Sequence, residues 1–348
     1  MSIVDREYCS SSFLMFRSVV DRNYRFGEGM DYYHVSPPAE RWKIHDSHEL
    51  ENALRRQLAD VESRGGALAL SGGIDSAILA RMMPRGSVAY TFKCVVPGVD
   101  VVDETEMARR YAEECGLDHR IVEVYWEDMV SLSPKLMLHK GAPIHSIEVQ
   151  IYKAGLRAKS DGFRCLVFGE SADCLYGGLS GLLSRNWTVG EFIDRYSYVL
   201  PYRVLKRFKL ITEPYTRFEH DGFIDVHAFN SNVFLEESTN SYYNASATAG
   251  LQIDLPYAMT EMALPLDMKR VRSGENKYLV RELFHRLYPG WEVPEKIPMP
   301  RPLNEWMKNW TGPDRPEFWP HCAQNMTGDQ KWYIYALASF LDILDKKR

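Results

Sequence analysis

Four apolar residues, Ala67-Leu68-Ala69-Leu70, stand between Gly65-Gly66 and Ser71-Gly72-Gly73, and no other feature restricts the fold as tightly. A run so short and apolar, with glycine on both sides, reads as a strand buried on both faces, as in parallel sheets covered by helices. Asp75 to Met82 reads as the helix that follows. The chain therefore passes from buried strand to helix through two glycines.

Further strand candidates are Val88 to Cys94, Arg120 to Tyr125 and Cys165 to Phe168. Helical stretches lie between them at Glu104 to Cys115, Trp126 to Leu138 and Ile147 to Lys159. Before the first strand, Leu50, Leu54, Leu58 and Val61 recur at helical spacing, which predicts a helix from His48 to about Ser63 with Asp46 or Ser47 as its cap. Strand–helix alternation of this kind predicts an α/β fold with a doubly wound parallel sheet, whose ligands sit at the carboxyl ends of the strands. Beyond about Ser180 no strand is expected. The remainder reads as mostly helical, broken by polar loops such as Glu236 to Ala249 and by the proline-rich Pro294 to Pro302. Three parts are expected: an irregular lead-in over 1–46, a nucleotide-binding α/β domain over 47–180, and a mostly helical extension over 181–348 that completes the site.

A chain of 348 residues can bury a sizeable core. With 45% hydrophobic and 26% charged residues it has no disordered character. The net charge of −5 provides no general basic field for a phosphate backbone, so nucleic acid is not an expected partner. No apolar run approaches the roughly 20 residues of a membrane span, so a membrane is not expected either. The six cysteines form no C-x-x-C pair, which fits reduced thiols and a cytoplasmic protein.

The chemistry centres on Ser71-Gly72-Gly73-Ile74-Asp75-Ser76. Glycines between a strand and a helix let backbone N–H groups approach an anion, and the helix dipole points at it. That arrangement suits pyrophosphate. No lysine follows the glycines, which excludes a Walker loop, and G-x-G-x-x-G is absent, which excludes a dinucleotide fingerprint. Asp75 is placed to hold magnesium against phosphates. Aspartate and serine also favour helix starts without any ligand.

At these residues the chain resembles the asparagine synthetase-like synthetase domains of the N-type ATP pyrophosphatases. These have a PP-loop, adenine nucleotide alpha hydrolase-like fold, and β-lactam synthetases and lasso-peptide cyclases are among them. Leu70 to Ser76 looks like their signature loop. Asp103-Glu104, then Ala108 and Ala112, then Gly116-Leu117-Asp118-His119 resemble the helix and turn after their second strand. Phe168-Gly169-Glu170-Ser171-Ala172-Asp173-Cys174-Leu175-Tyr176-Gly177-Gly178 is similar to their G-E-G-A-D-E-L-F-G-G, and Gly274 to Glu282 is similar to G-K-x-x-L-R-E. The resemblance covers residues 45 to 345.

The resemblance implies ATP and Mg2+ as cofactors and a carbon–nitrogen ligase. A carboxylate would be adenylated with release of pyrophosphate, and the acyl group passed to ammonia or an amine. It implies that Leu70, Ser71, Gly72, Gly73, Asp75, Ser76, Lys93, Gly169 and Lys296 hold the nucleotide. Asp75 and Asp173 would hold the metal. Glu170 would accept or orient the proton of the attacking nitrogen, and Lys277 would neutralise charge on phosphate or oxyanion. Arg281 and Glu282 read as structural helix charges.

The departures are as informative. Family members that use glutamine begin with a cysteine after the initiator and carry a glutaminase domain; here Ser2 stands in that place, before a short lead-in. Nitrogen is therefore expected from free ammonia, from an amine, or from a separate glutaminase subunit, and a homodimer is left open. The family's E-x-R-x-P-F-L-D appears as Gln252 to Met259, with Asp254 in place of the arginine. Ser171 and Cys174 replace a glycine and a glutamate, so the acceptor side of the pocket looks rewritten. Two rival readings remain: a tRNA-modifying or thiolating enzyme using Cys94 or Cys174, and a non-catalytic nucleotide-binding partner subunit.

Overall fold

The structure is a computed structural model that describes residues 3–346; Ser2 lies outside them. The elements that build the site are, in chain order, helix α1 (Arg6–Phe16), strand β1 (Trp42–Ile44), α2 (Ser47–Leu58), β2 (Gly66–Ala69), α3 (Ile74–Ala80), β3 (Val88–Cys94) and α4 (Thr105–Cys115). These continue with β4 (Asp118–Val124), α5 (Trp126–Lys140), α6 (Ile147–Ser160), β5 (Cys165–Val167) and α7 (Ala172–Leu175). The C-terminal half adds α8 (Leu235–Ala249), β6 (Gln252–Asp254), β7 (Thr260–Met262), α9 (Tyr278–Leu287) and α10 (Gly328–Lys346).

Five strands form one parallel sheet in the order β6-β5-β2-β3-β4. All four residues of β2 are buried, which is why its sequence shows no alternation. From β2 the chain winds outward through β3 to β4, then returns to lay β5 on the other side of β2. The winding reverses between β2 and β5, and a crevice opens there at the carboxyl ends. Leu50, Leu54, Ile78, Tyr111, Leu283 and Phe284 fill the core under one face of the sheet. The other face is covered by α5, α6, α8 and α10 around Leu136, Ile151, Ala245 and Leu337. Asp46 caps α2 as the sequence suggests, its Oδ1 accepting from the backbone N–H of His48 at 2.8 Å and of Glu49 at 2.9 Å.

The structure corrects three expectations. The lead-in is not irregular throughout: α1 occupies residues 6–16, and every residue from Cys9 to Phe16 is buried. A helix enclosed on all sides has no apolar stripe to betray it, and its serines bond outside the helix: Ser11 Oγ accepts from Lys209 N and Ser12 Oγ donates to Ser18 O. Residues 236–249 belong to a helix rather than a polar loop. In α8, Thr239, Asn240 and Ser241 donate to carbonyls one turn back, so polar side chains sit satisfied inside the core. Strands do not stop at Ser180, since β6 pairs with β5 at the edge of the main sheet and β7 pairs with β1. Three residues are too few for alternation to show.

Candidate active site

Two loops meet in the crevice. The first leaves β2 and folds on its own serines: Ser71 N donates to Ser76 Oγ at 3.0 Å, and Gly73 N donates to Ser71 Oγ at 3.1 Å. Gly73 caps α3 without a side-chain hydrogen bond, so the start of that helix has no local acceptor of its own. The second loop leaves β5 and presses Gly169 against the first. A Cβ on Gly169 would lie 2.8 Å from Ser76 N, and one on Gly178 would lie 2.1 Å from Asp173 Oδ1, so both positions exclude side chains by contact.

The result is a cavity of about 650 Å³ lined by both loops and by the wall from Val293 to Arg301. Its volume lies in the range of small-molecule sites. Lys277 Nζ reaches Asp75 Oδ1 at 2.5 Å and Asp173 Oδ1 at 3.1 Å, and Lys296 Nζ reaches Asp173 Oδ2 at 2.5 Å. Two acids and two ammonium groups thus alternate in one cluster. Burial opposes charge on Asp173, but Lys277 and Lys296 outweigh it and hold that carboxyl well below the usual range. Burial pushes Asp75 upward against the pull of Lys277, with the Asp173 charge adding to the rise. Burial would lower Lys277, but the two carboxylates more than reverse that and keep it charged.

Most of the residues singled out in the sequence come together here. Leu70, Ser71, Gly73, Asp75, Ser76, Gly169, Glu170, Asp173, Lys277 and Lys296 all line the cavity. Gly72 lies behind it, facing Glu104 and Met107. Lys93 does not line it: its ammonium pairs with Asp103 Oδ2 at 3.2 Å beside the carboxyl end of β3. Asp254 is also remote, its carboxylate paired with Arg64 at 2.6 Å on the edge strand. That departure from the family pattern therefore leaves no charge in the cavity. Arg281, read as structural, lines the cavity with Asn276 holding its guanidinium at 2.6 Å, whereas Glu282 is exposed and pairs with Arg270.

Asp75 and Asp173 suit magnesium only as part of a set. Among the described residues no group of three His, Cys, Asp or Glu side chains could hold a metal alone. Magnesium commonly takes one or two carboxylates and completes its shell from substrate phosphates and water, and two carboxylates beside a glycine loop fit that pattern. Cys94 and Cys174 are both buried, and burial pushes the Cys94 thiol to about 12 and the Cys174 thiol well above its ordinary value. Neither is poised as a thiolate.

The sequence reading missed one sector. Beyond Glu170, whose carboxylate accepts from Ser238 Oγ at 2.9 Å, the cavity is lined by Arg17, His145, Tyr242 and Arg301. Arg17 comes from the end of α1 and Tyr242 from α8, the two helices that periodicity could not reveal. Glu104 also lines the cavity, packed against Gly72, and is raised to about 7 by burial. Among the described residues no helix is long and apolar enough to cross a membrane.

No curated protein matches the chain. Among solved structures, it is similar to an NH3-dependent NAD synthetase from Campylobacter jejuni, at 18% identity and TM-score 0.25 over 38% of this chain and 58% of that one. An NMN synthetase from Francisella tularensis is matched at 12% identity and TM-score 0.29, over 73% of this chain and 99% of that one. A U34-tRNA thiolase from Methanococcus maripaludis is matched at 15% identity and TM-score 0.27, over 72% and 82%. Likenesses of that strength add nothing to the assignment. The family described as asparagine synthase, by contrast, matches residues 47–312, a span that holds the Ser71–Ser76 loop, the Glu170–Asp173 loop, Lys277 and Lys296. With well over half its length in that match, the chain belongs to the asparagine synthase family.

Proposed function

We propose that the protein is an ATP-dependent ligase that adenylates a carboxylate, releases pyrophosphate and transfers the acyl group to a nitrogen nucleophile. The observation that carries this reading is the cluster of Asp75, Asp173, Lys277 and Lys296 beside a phosphate loop that lacks a Walker lysine. Attack of a carboxylate on the α-phosphorus leaves charge on the departing pyrophosphate, and fixed cations lower the barrier where that charge develops. Lys277 and Lys296 supply them. Lys277 is 6% exposed and stays protonated through neutral pH, so it acts without rearranging water. Asp75 and Asp173 would hold Mg2+, which when bound neutralises phosphate charge. Glu170, anchored by Ser238, faces the chamber beyond the acids and takes the proton that the attacking nitrogen releases.

An ATP–pyrophosphate exchange screen over carboxylic acids tests the reading. Exchange that depends on one acid or a narrow set is expected, and Glu170→Gln should slow amide formation at least about tenfold more than exchange, because only the second half-reaction needs the base. Equal loss of both in Glu170→Gln removes that residue from proton transfer. No exchange with any acid refutes adenylation.

A further inference from the structure

We infer that the chamber beyond Glu170 is a carboxylate subsite for the nitrogen donor, and that the donor is an amino acid rather than ammonia. The inference rests on the ligase reading above and concerns the acceptor half of the same cavity.

Arg17 and Arg301 both line that chamber, and in both the guanidinium Nε is buried without a hydrogen-bond partner among the described residues. Their charges are balanced from outside: Glu237 pairs with Arg17, and Asp329 lies 3.2 Å from Arg301, yet neither acid lines the cavity. The orphaned donors belong to the side chains that do line it. His145 Nε2 lies 3.4 Å from Arg17 Nη1, and burial, together with Arg17, Arg301 and Lys140, keeps that imidazole neutral. Arg301 Nη1 donates to Met299 O at 2.9 Å, so the terminal nitrogens of both arginines are held in place, and two fixed cations beside a neutral ring give the chamber a positive wall that suits a carboxylate.

Arg17 is 7% exposed and sits at φ 59°, a left-handed conformation that glycine would adopt without strain. Strain retained at a cavity-lining arginine points to use of the side chain. Arg17, at the end of α1, precedes the family match at residues 47–312, whereas His145, Glu170 and Arg301 lie within it, so this chain adds one arginine to the matched segment's own wall.

Glu170 fixes which substrate the chamber serves. It lines the same chamber as the guanidinium groups, so a molecule with its nitrogen at Glu170 and an anion at Arg17 and Arg301 is an amino carboxylic acid. Ammonia carries no anion to set against the two guanidinium groups. In the transfer, the neutral amine nitrogen bonds to the acyl carbon and the carbon–oxygen bond to AMP breaks with its electron pair on the AMP oxygen. The nitrogen's surplus proton passes to Glu170.

The test compares glycine, L-alanine and L-phenylalanine with methylamine, ethylamine and phenethylamine, by calorimetric binding to the whole chain and by amide formation with the acids that support exchange. At least one amino acid should bind about tenfold or more tightly than its decarboxylated partner, the effect of a charge-assisted pair. Arg17→Gln alone strands Glu237 as a buried charge. The discriminating variants are therefore Arg301→Gln, whose partner Asp329 is exposed, and the paired Arg17→Gln/Glu237→Gln. Each should collapse the amino-acid-over-amine ratio. The subsite is overturned if no amino acid outbinds its amine, or if Arg301→Gln raises the acid's KM in exchange while the amine ratio stands. Absence of exchange with every acid would sink adenylation alone, since Arg301-dependent amino-acid binding would still uphold the subsite.

Discussion

Ser171 occupies a position where the family pattern has glycine, and its φ of 80° explains the preference. The residue is buried and its hydroxyl has no partner among the described residues. A left-handed backbone costs a residue with a Cβ roughly 1–2 kcal/mol, so Ser171→Gly should raise stability by about 1 kcal/mol in urea unfolding once glycine's greater unfolded entropy is deducted. A loss of similar size would show that the hydroxyl has a role in the fold. Glu104 offers a test by pH. Its folded value is raised to about 7 from an ordinary 4.5. Between those values the unfolded chain releases the proton and the folded one keeps it, so stability is full below about pH 4.5 and falls as pH rises to 7. The unfolding free energy from urea titrations should drop across that window by about 3 kcal/mol, and Glu104→Gln should abolish the drop. An unchanged slope in the variant would assign the dependence to another group. Both residues were visible in the sequence, but neither the φ angle nor the burial could be read there.

At the scale of elements, legibility followed the environment. Strands β2 to β5 and helices α2 to α6 were readable because a sheet covered on both faces imposes apolar runs on strands and an apolar stripe on its covering helices. Helices α1 and α8 were not, because each is enclosed and so shows no apolar stripe against a polar face. Asn244 in α8 shows how much a buried polar group carries: its amide donates to Glu148 Oε2 at 2.6 Å and its oxygen contacts His139 Nδ1 at 2.7 Å. Glu148 in turn holds Lys140 at 2.6 Å, with both side chains buried. Asn244→Ala should therefore cost about 2–3 kcal/mol, read as a lower urea midpoint with an unchanged slope. A change within about 0.5 kcal/mol would mean that the helix does not depend on this network.

Across the whole molecule, the site forms where the winding of the parallel sheet reverses, and each side of that reversal supplies one acid: Asp75 after β2 and Asp173 after β5. The C-terminal half contributes Lys277 and Lys296, and it also supplies β6 to the edge of the same sheet. The glycine spacing made both loops legible, since a Cβ at Gly169 or Gly178 meets backbone or carboxylate. The lysines were legible only through resemblance, because a lone lysine on a helix or loop carries no spacing signal. The guanidinium chamber was not legible at all, for Arg17 and Arg301 lie far apart in the chain and flank no motif. The central claim is that this constellation directs attack to the α-phosphorus. The most direct measurement is the stoichiometry of nucleotide products in a complete reaction with ATP, the acid found by exchange and an amine. AMP and pyrophosphate are expected in equal amounts with the amide, and Asp173→Asn should abolish all three while the chain stays folded; ADP and phosphate as the stoichiometric products would contradict the account.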